Sequence, residues 1–232
     1  MAMMPITLFD AQLLLMAGTK SPTVIDAGVQ HGDTTEQYLR AFPDARVIGL
    51  EPDSKNYAGA QKRLAGFPNL ELLALALSNS CGQATFRPVS HDGSHSLLEV
   101  ENSPYFDSPV AALDPVPIET ITVDEICSRR GIRTLDILKM DIQGGELLAL
   151  NGAKEMLSRS AIRLVVLEVL FKPLYRNQPS FWDLAQFLRS YDYDLQGLYE
   201  PQHHARNAAI LRWADAIFAA PSMQVLTPVR ET

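Results

Sequence analysis

Hydrophobic positions along the chain alternate between short continuous runs and helix-like spacing. Continuous apolar runs of about four to eight residues are typical of buried strands. Such runs predict strands at residues 24–26, 46–52, 70–77, 135–141, 162–171, 193–200 and 214–221. Segments with apolar residues three or four positions apart predict helices at residues 34–42, 53–66, 122–131, 145–159 and 180–191.

Capping residues indicate where two of these helices begin. Asp33 is followed by Glu36, a spacing that predicts Asp33 as the N-cap of the first helix. Thr122 and Glu125 have the spacing of a capping box, and Gly131 follows that helix as its terminator. Both helices therefore have their own start signals in the sequence.

The alternation of strands and helices predicts an α/β fold, a doubly wound, Rossmann-like sheet of seven strands with helices on both faces. The runs at 135–141 and 162–171 are apolar throughout, as in strands that are buried on both sides. Residues 201–213 join the last two strands without a helical pattern, so we expect the last strand to be antiparallel.

A single domain is expected over residues 1–232, with two additions to the alternating core. Residues 1–21 predict an N-terminal helical extension. Residues 78–120 lack long periodic elements and form a small irregular insertion between the third and fourth strands. We expect this insertion to act as a lid over the carboxyl edge of the sheet and to contact a substrate.

Composition and charge limit the classes of function. Hydrophobic residues make up 47% of the chain and charged residues 20%, so a buried core is expected and global disorder is not. The formal net charge of -7 disfavours nucleic acid or an anionic membrane as the main partner. Cys81 and Cys127 lack CxxC spacing, which argues against a disulfide framework or a zinc site and predicts a cytoplasmic location. No apolar run reaches the length of a membrane span.

The turn after the first strand contains two glycines, Gly28 and Gly32, in the segment DAGVQHGDT. A dinucleotide-binding fingerprint would have GxGxxG spacing, but Gln30 stands where its middle glycine would be. The GK[ST] sequence of a phosphate-binding loop is also missing from this turn. The turn is therefore rich in glycine but has no strong phosphate signature.

Two carboxylates end the first two predicted strands. Glu51 can accept hydrogen bonds from both hydroxyl groups of a ribose. Asp26 suits an ammonium or another cationic group better than a phosphate. Together they favour a nucleoside with a positively charged tail and no phosphate, and S-adenosylmethionine is such a molecule. The alternative is purely structural, with glycines that allow a tight turn and carboxylates that cap local backbone.

Several titratable residues are expected at the carboxyl edge of the sheet, where parallel strands end. The candidates for catalysis are Asp141, Glu168, His203 and His204, and those for contact with the acceptor are His95, Lys172, Tyr175 and Arg206. Asp141 is the favoured group for orienting or deprotonating an acceptor, and its alternative role is a helix cap.

Other roles stay open for several of these candidates. Glu168 lies in an apolar run and needs either a function or a partner, for which Lys139 is a candidate unless it extends to solvent. The adjacent histidines could serve as a base, as substrate contacts or as metal ligands, and a solvated loop is favoured over any single one of these roles. A divalent metal site would require Asp141, Glu168 and a histidine to converge, which spacing alone does not show.

Four segments in this order, VIDAGVQHGDTT, GLEPD, LALS and LKMDIQGGELLALNGA, resemble the FkbM-type family of S-adenosylmethionine-dependent methyltransferases. The resemblance runs from about Val24 to Ala219 and implies the seven-strand methyltransferase fold. It departs from the family at Val29 and Gln30, where Ala and Asn are usual, and at Gln143, where Glu is frequent.

The resemblance also implies roles for residues of the site. Asp26, Gly28 and Gly32 would surround the methionine part of the cofactor, and Gln30 belongs to the same turn. Glu51 would hold the ribose, Ala76 and Ser78 would lie near the adenine, and Asp141 would face the reacting methyl group.

The resulting hypothesis is S-adenosylmethionine-dependent O-methylation of a sugar or another small polyhydroxylated acceptor. Two alternatives are kept, a cofactor-binding module without catalysis, suggested by Gln143, and an NAD-dependent oxidoreductase. The second would need GxGxxG spacing and a helix between the last strands. Apolar residues in 8–16 and 180–190 fit a homo-oligomer interface or core packing equally well. The acceptor, the regiochemistry and the metal dependence stay open.

Overall fold

The structure is a computed structural model that describes residues 6–223. In chain order its elements are α1 (Leu8–Leu15), β1 (Thr23–Ala27), α2 (Asp33–Ala41), β2 (Arg46–Leu50), α3 (Ser54–Arg63), β3 (Leu70–Leu73), β4 (Ala76–Leu77), β5 (Gly82–Phe86), β6 (Val116–Ile121), α4 (Val123–Arg129), β7 (Leu135–Met140), α5 (Glu146–Asn151), α6 (Lys154–Ser158), β8 (Ile162–Leu170), α7 (Phe181–Arg189), β9 (Asp194–His204), β10 (Asn207–Ala219) and a 3-10 turn at Pro221–Met223.

The main sheet has seven strands in the order β3-β2-β1-β7-β8-β10-β9. The pairs from β3 to β8 are parallel, and β10 is antiparallel to both of its neighbours. The predicted doubly wound sheet with an antiparallel last strand is thus confirmed. Strand order reverses between β1 and β7, and ligands of such sheets bind at this position, outside the carboxyl ends of the strands.

Different helices cover the two faces of the sheet, because alternate residues of a strand point to opposite sides. Val24, Val47 and Ile137 belong to the core cluster that includes side chains of α1, α2 and α3. Ile25 and Ile48 belong to the cluster that includes side chains of α4 to α7. Burial on both faces explains why β7 and β8 are apolar at most positions. Among residues 6–223, no helix is both long enough and apolar enough to cross a membrane.

Two predicted elements are each divided in the structure. The strand predicted at 70–77 is β3 and β4, because β2 ends at Leu50 and offers no partner beyond Leu73. The two residues of β4 pair instead with β6, in a small sheet of order β4-β6-β5. The helix predicted at 145–159 is α5 and α6, separated at Gly152, where an added Cβ would lie 2.2 Å from the carbonyl oxygen of Ser78.

The predicted N-cap of α2 is wrong. Gly32 is the cap, with a φ of +89° and no capping side chain, and Asp33 is the first helical residue. Asp33 and Glu36 instead pair with Arg63 on α3 at 2.6 and 2.7 Å. The prediction of Thr122 as an N-cap is confirmed, since its hydroxyl accepts a hydrogen bond from the backbone N–H of Glu125.

The segment between the last two predicted strands is itself extended. The strands β9 and β10 continue as a long hairpin that turns at Ala205 and Arg206, with His204 paired to Asn207. The connection at 201–213 has no helix, as expected, but it is shorter than predicted, because antiparallel pairing extends both strands into it. The insertion at 78–120 contains β5 and most of β6, and the rest is irregular.

Candidate active site

A cavity open to solvent, with about 670 Å³ of empty space when the solvent at its mouth is included, lies at the carboxyl ends of β1, β2 and β7, where strand order reverses. Residues 93 and 95–97 of the insertion form part of its wall. We call it the first cavity. Of the residues predicted to bind or act, those that line it are Gly28, Gln30, Glu51, Ala76, His95 and Asp141.

Gly28 lets the first turn pass against the end of β7. It has a φ of +81°, and a Cβ there would lie 1.9 Å from the backbone carbonyl oxygen of Asp141. A larger residue does not fit this position without moving the backbone. The turn therefore brings main-chain groups directly to the wall of the first cavity.

Glu51 connects the same turn to β2. Its carboxylate accepts hydrogen bonds from the backbone N–H groups of Gln30, at 2.7 Å, and Asp53, at 2.9 Å. The residue is 5% exposed, and burial raises the pKa of its carboxyl group. A carboxylate has about four acceptor positions, so it keeps capacity for further donors such as two neighbouring hydroxyl groups.

Asp26 does not line the first cavity. It is fully buried, its Oδ2 accepts a hydrogen bond from the Thr35 hydroxyl at 2.6 Å, and its Oδ1 lies 3.4 Å from Nζ of Lys139. The cation that its sequence position suggested is therefore a lysine of the chain itself. Lys139 is also buried, so it pairs with Asp26 rather than extending to solvent.

Two further residues predicted near the cofactor lie outside the lining of the first cavity. Gly32 caps α2 and packs closely on the Leu64 side chain, which an added Cβ would approach to 2.9 Å. Ser78 is buried, and its backbone N–H donates to the carbonyl oxygen of Ile121. The apolar wall at this end comes instead from Leu75, Ala76 and Leu77.

A second cavity, also open to solvent and with about 700 Å³ of empty space on the same measure, adjoins the first. Its wall combines apolar and aromatic side chains with charged ones, namely Phe106, Leu170, Leu174, Trp213, Asp107, Arg212, Asp141 and Glu168. Asp141, Gln143 and Gly93 line both cavities, so the two spaces meet at these residues. Ligands bound in the two cavities would lie side by side, with the Asp141 carboxylate at the boundary.

Carboxyl groups are concentrated at this boundary. Glu168 on β8 lies directly opposite Asp215 on β10 in the antiparallel register. Burial, followed by the negative charge of Asp141, raises the pKa of Glu168 well above its usual range. The same two causes raise the pKa of Asp215 to about 7. The Lys139 ammonium group lies 3.9 Å from Oδ2 of Asp141 and partly balances this charge.

Arg212 and Trp213 are site residues that the sequence analysis missed. Register shifts on both sides of Trp213 disturb the alternation of β10, and both consecutive side chains line the second cavity. The Arg212 guanidinium is stacked 4.0 Å from the centre of the Trp213 ring and lies 2.7 Å from a carboxylate oxygen of Asp107. Charged residues within the apolar run AILRWADAIF were the available signal for Arg212 and Asp215.

Of the residues predicted for catalysis or for contact with the acceptor, five line neither cavity, namely Lys172, Tyr175, His203, His204 and Arg206. His203, His204 and Arg206 lie at the tip of the β9–β10 hairpin, where His204 Nδ1 accepts a hydrogen bond from the Arg206 backbone N–H. Lys172 has its ammonium group over the Tyr105 ring, 5.4 Å from its centre. The hairpin tip reaches the insertion through the Ala205 backbone N–H, which donates to Asp107.

Tyr175 and His95 are held by the protein in defined positions. The buried Tyr175 hydroxyl lies 2.7 Å from Oε1 of Gln143, and burial raises its pKa. His95 lines the first cavity rather than the second, and its Nδ1 accepts a hydrogen bond from the Val89 backbone N–H at 3.1 Å. Neither side chain lines the second cavity.

Asp92 connects the insertion to the first turn. Its Oδ2 lies 2.8 Å from Nε2 of His31, and its Oδ1 accepts a hydrogen bond from the Asn56 side chain at 3.3 Å. His31 belongs to the glycine-rich turn and Asn56 to α3, so one carboxylate joins three segments beside the first cavity. In the described part of the chain, no group of three or more His, Cys, Asp or Glu side chains is placed to hold a metal ion.

Comparison with known proteins gives one family match. The family model described as "Methyltransferase FkbM domain" matches residues 26–195. The chain is similar to the 2-O-methyltransferase NoeI of Sinorhizobium fredii (strain NBRC 101917 / NGR234), with 27% identity over 201 residues, 79% of this chain and 82% of that protein. It is also similar to methyltransferase sdnD of Sordaria araneosa, with 24% identity over 159 residues, 58% of this chain and 61% of that protein.

Two solved structures show partial similarity. Precorrin-6y C5,15-methyltransferase from Geobacter metallireducens GS-15 has a TM-score of 0.49 and 10% identity, with coverage of 90% of this chain and 86% of that chain. An rRNA methylase from Streptococcus thermophilus also has a TM-score of 0.49 and 10% identity, with coverage of 95% and 98%.

Proposed function

Because the chain belongs to the FkbM methyltransferase family, we propose that it transfers a methyl group to a hydroxyl oxygen of a sugar or another small polyhydroxylated molecule. The family, the methyltransferase class and S-adenosylmethionine as the cofactor agree with the predictions from the motifs. Transfer to oxygen is supported by the name of NoeI, which describes a 2-O-methyltransferase. The family match gives no support to an NAD-dependent oxidoreductase.

The residues of the first cavity fit an adenosyl cofactor. Bound S-adenosylmethionine supplies a methyl group activated by a sulfonium. Glu51 would accept hydrogen bonds from the ribose hydroxyls, while Gly28 and Gln30 would present main-chain groups to the methionine part. The apolar residues Leu75 and Ala76 suit the adenine. Asp26 would act indirectly, by holding Lys139 and Thr35 behind the turn.

The second cavity fits a small acceptor with hydroxyl groups. Trp213 and Phe106 offer flat apolar surface, which suits the carbon face of a sugar ring. Asp107 and Arg212 offer an acceptor and a donor for hydroxyl groups. A pocket with mostly apolar walls and a few fixed polar groups is typical of small-molecule sites.

The observation that carries this proposal is that Asp141 lines both cavities. A hydroxyl oxygen held beside it would face the first cavity, and Asp141 would orient the hydroxyl and accept its proton. Alignment of two reactants can supply about 7–11 kcal/mol of a barrier. A positioned base adds roughly 10²–10⁴-fold in rate.

Calorimetry and a methyl-transfer assay test the proposal together. The purified chain should bind S-adenosylmethionine and S-adenosylhomocysteine and should methylate at least one member of a panel of sugars. The variant Asp141→Asn should keep its affinity for S-adenosylhomocysteine while turnover falls by roughly 10²–10⁴-fold. Heat with NAD alone would overturn the proposal, and cofactor binding without turnover on any hydroxylated acceptor would favour a binding module.

The proposal includes a cytoplasmic location and a small-molecule partner rather than nucleic acid. Both cysteines are free in the structure, Cys81 exposed and Cys127 buried, which is compatible with a reducing compartment. Homo-oligomerisation also stays a proposal. Leu14 and Trp182 are 67% and 75% exposed within the two apolar segments, and sedimentation of the purified chain would measure its mass.

A further inference from the structure

The Gln143 side chain forms hydrogen bonds with three other side chains where the two cavities meet. Its Nε2 lies 3.0 Å from Oδ1 of Asp141 and 2.8 Å from Oε2 of Glu168, and its Oε1 accepts a hydrogen bond from the Tyr175 hydroxyl at 2.7 Å. Both amide hydrogens and the amide oxygen thus have partners. These hydrogen bonds fix the side-chain amide of Gln143, a residue that lines both cavities.

The chemistry of these partners permits one orientation of the amide. Oδ1 of Asp141 is a carboxylate acceptor and requires the NH₂ group, which fixes the orientation. The Tyr175 hydroxyl has one proton, which it shares between the amide oxygen at 2.7 Å and the Ser94 carbonyl oxygen at 2.9 Å. If Glu168 carries a proton, Oε1 can hold it, so Oε2 still accepts. Turning the amide around would place its oxygen against Asp141 and its nitrogen against Tyr175.

The backbone of Gln143 is also held by a contact with the insertion. Its φ is +55°, a conformation that costs residues other than glycine about 1–2 kcal/mol. The Ser96 hydroxyl donates to the carbonyl oxygen of Gln143 at 2.7 Å and accepts from the Leu98 backbone N–H at 2.9 Å. The insertion therefore helps to hold the residue in this strained conformation.

We propose that Gln143 is a positioning residue for methyl transfer. Its amide nitrogen donates to Oδ1 of Asp141 and to Glu168, so Oδ2 of Asp141 stays available for the acceptor hydroxyl. Because the amide is neutral, it holds the two carboxyl groups together without adding a third negative charge. This inference rests on the proposed function. One of the positions at which the chain departs from the motif that it resembles is then part of the reaction's geometry, not a sign of lost chemistry.

Other charged groups around the amide shape its surroundings. Lys139 on β7, Asp215 on β10 and Glu146 at the start of α5 all act on the same carboxyl groups, and His91 of the insertion lines the second cavity. Only one of these three sheet and helix groups is a cation. A further carboxylate at position 143 would therefore increase the repulsion among carboxyl groups that only Lys139 among these three groups balances.

The test replaces the amide by a carboxylate of the same shape. In Gln143→Glu, three neighbouring carboxyl groups should raise one another's pKa. We expect the acid limb of the kcat/KM profile to move up by at least one pH unit and kcat at pH 7 to fall at least tenfold. The KM for the cofactor should change less than twofold. Gln196→Glu, on the exposed part of β9, adds the same charge elsewhere and should change none of these three quantities.

A second measurement does not depend on turnover. Titration of side-chain carboxyl groups by ¹³C NMR in the cofactor-free protein should show the same upward displacement in Gln143→Glu. The variant Tyr175→Phe removes the hydroxyl that donates to the amide oxygen and to the Ser94 carbonyl oxygen, and it adds no charge. It should lower kcat several-fold without moving the acid limb, which keeps the inference testable if Gln143→Glu does not fold.

An unchanged profile in Gln143→Glu, an equal loss of kcat at every pH, or unaltered activity in Tyr175→Phe would overturn the inference. Failure of the proposed function looks different, because the unmodified chain would then methylate no hydroxylated acceptor. If the unmodified chain methylates an acceptor and Gln143→Glu has the same activity and pH profile, only the proposed role of Gln143 is refuted.

Discussion

The ammonium nitrogen of Lys139 lies 3.4 Å from Oδ1 of Asp26, and the two residues are direct partners in the parallel pairing of β7 with β1. Both side chains are buried. The pair lies directly beneath the first cavity, since Asp26 is followed by the lining residues Ala27 and Gly28. It supports the turn from below rather than contacting a ligand.

Replacing Lys139 by Met should lower the free energy of unfolding by about 3–5 kcal/mol, because Asp26 would be left as an uncompensated buried charge. Urea unfolding followed by circular dichroism measures this loss. Adding Asp26→Asn to the same chain should recover part of it. Lys172→Met removes an ammonium group over an aromatic ring and serves as the control, with a loss of about 0.5–1 kcal/mol. If Lys139→Met and Lys172→Met lowered the free energy of unfolding equally, the buried pair of Lys139 and Asp26 would not have the expected effect on stability.

Gly28→Ala tests the close approach of the first turn to Asp141. Gly18 is the matched control, since it also has a positive φ, of +89°, but has no atom within 4 Å of an added Cβ. Gly18→Ala should cost about 1–2 kcal/mol from its backbone conformation alone. Gly28→Ala should cost about 1–3 kcal/mol more through steric overlap. It should also weaken S-adenosylhomocysteine binding at least tenfold, and similar behaviour of the two variants would argue against the close contact.

Glu51→Ala should weaken S-adenosylhomocysteine binding by about 1.5–3 kcal/mol, because hydrogen bonds to a charged group are lost. Isothermal titration calorimetry gives the affinity directly. Glu71→Ala is the control, since Glu71 pairs with Arg130 on the protein surface. An unchanged affinity in Glu51→Ala would show that the ribose binds elsewhere.

The insertion is proposed to cover the cofactor through Asp92. Removing this carboxylate in Asp92→Ala deletes its contacts with His31 and Asn56, so the insertion should open more often. We expect the dissociation rate constant of S-adenosylhomocysteine to rise at least threefold in stopped-flow measurements. Asp114→Ala, at an exposed position of the same insertion, should leave this rate unchanged. If both variants release the ligand at the wild-type rate, the lid hypothesis fails.

Glu146 gives a prediction about pH and stability. Burial raises its pKa from 4.5 to about 7, so the folded chain binds this proton more tightly than the unfolded chain does. Its contribution to stability is therefore complete below about pH 4.5 and is lost as pH rises through 7. In Glu146→Gln, the fall in unfolding free energy between pH 5 and pH 8 should be smaller by about 2–3 kcal/mol. Glu125→Gln, at a surface ion pair, is the control and should show the wild-type dependence of unfolding free energy on pH. The same wild-type dependence in Glu146→Gln would refute the raised pKa of Glu146.

Local patterns in the sequence were sufficient for the architecture. Apolar runs and helical spacing identified the strands of the main sheet and most helices, because burial on one or two faces leaves a periodic signature in each segment. The motif around Asp141 identified the family. Placement of carboxylates at strand ends also follows from the strand assignments alone, as Asp26, Glu51 and Asp141 illustrate.

Local sequence patterns could not predict which distant segments of the chain are in contact. The long β9–β10 hairpin removed His203 and His204 from the cavities, whereas the irregularity in β10 brought Arg212 there and not Arg206. Likewise, Gly32 rather than Asp33 caps α2, because Asp33 is paired with an arginine on the next helix.

The sequence by itself determined the doubly wound fold, the family and the glycine-rich turn that carries Gly28 and Gln30. Only the tertiary structure decided that Asp26 pairs with Lys139 and that Gln143 joins Asp141 to its neighbours. The physical reason is that periodicity reports how each segment is buried. The partner of a charged or polar side chain depends on which remote strands and loops the folded chain brings within hydrogen-bonding distance.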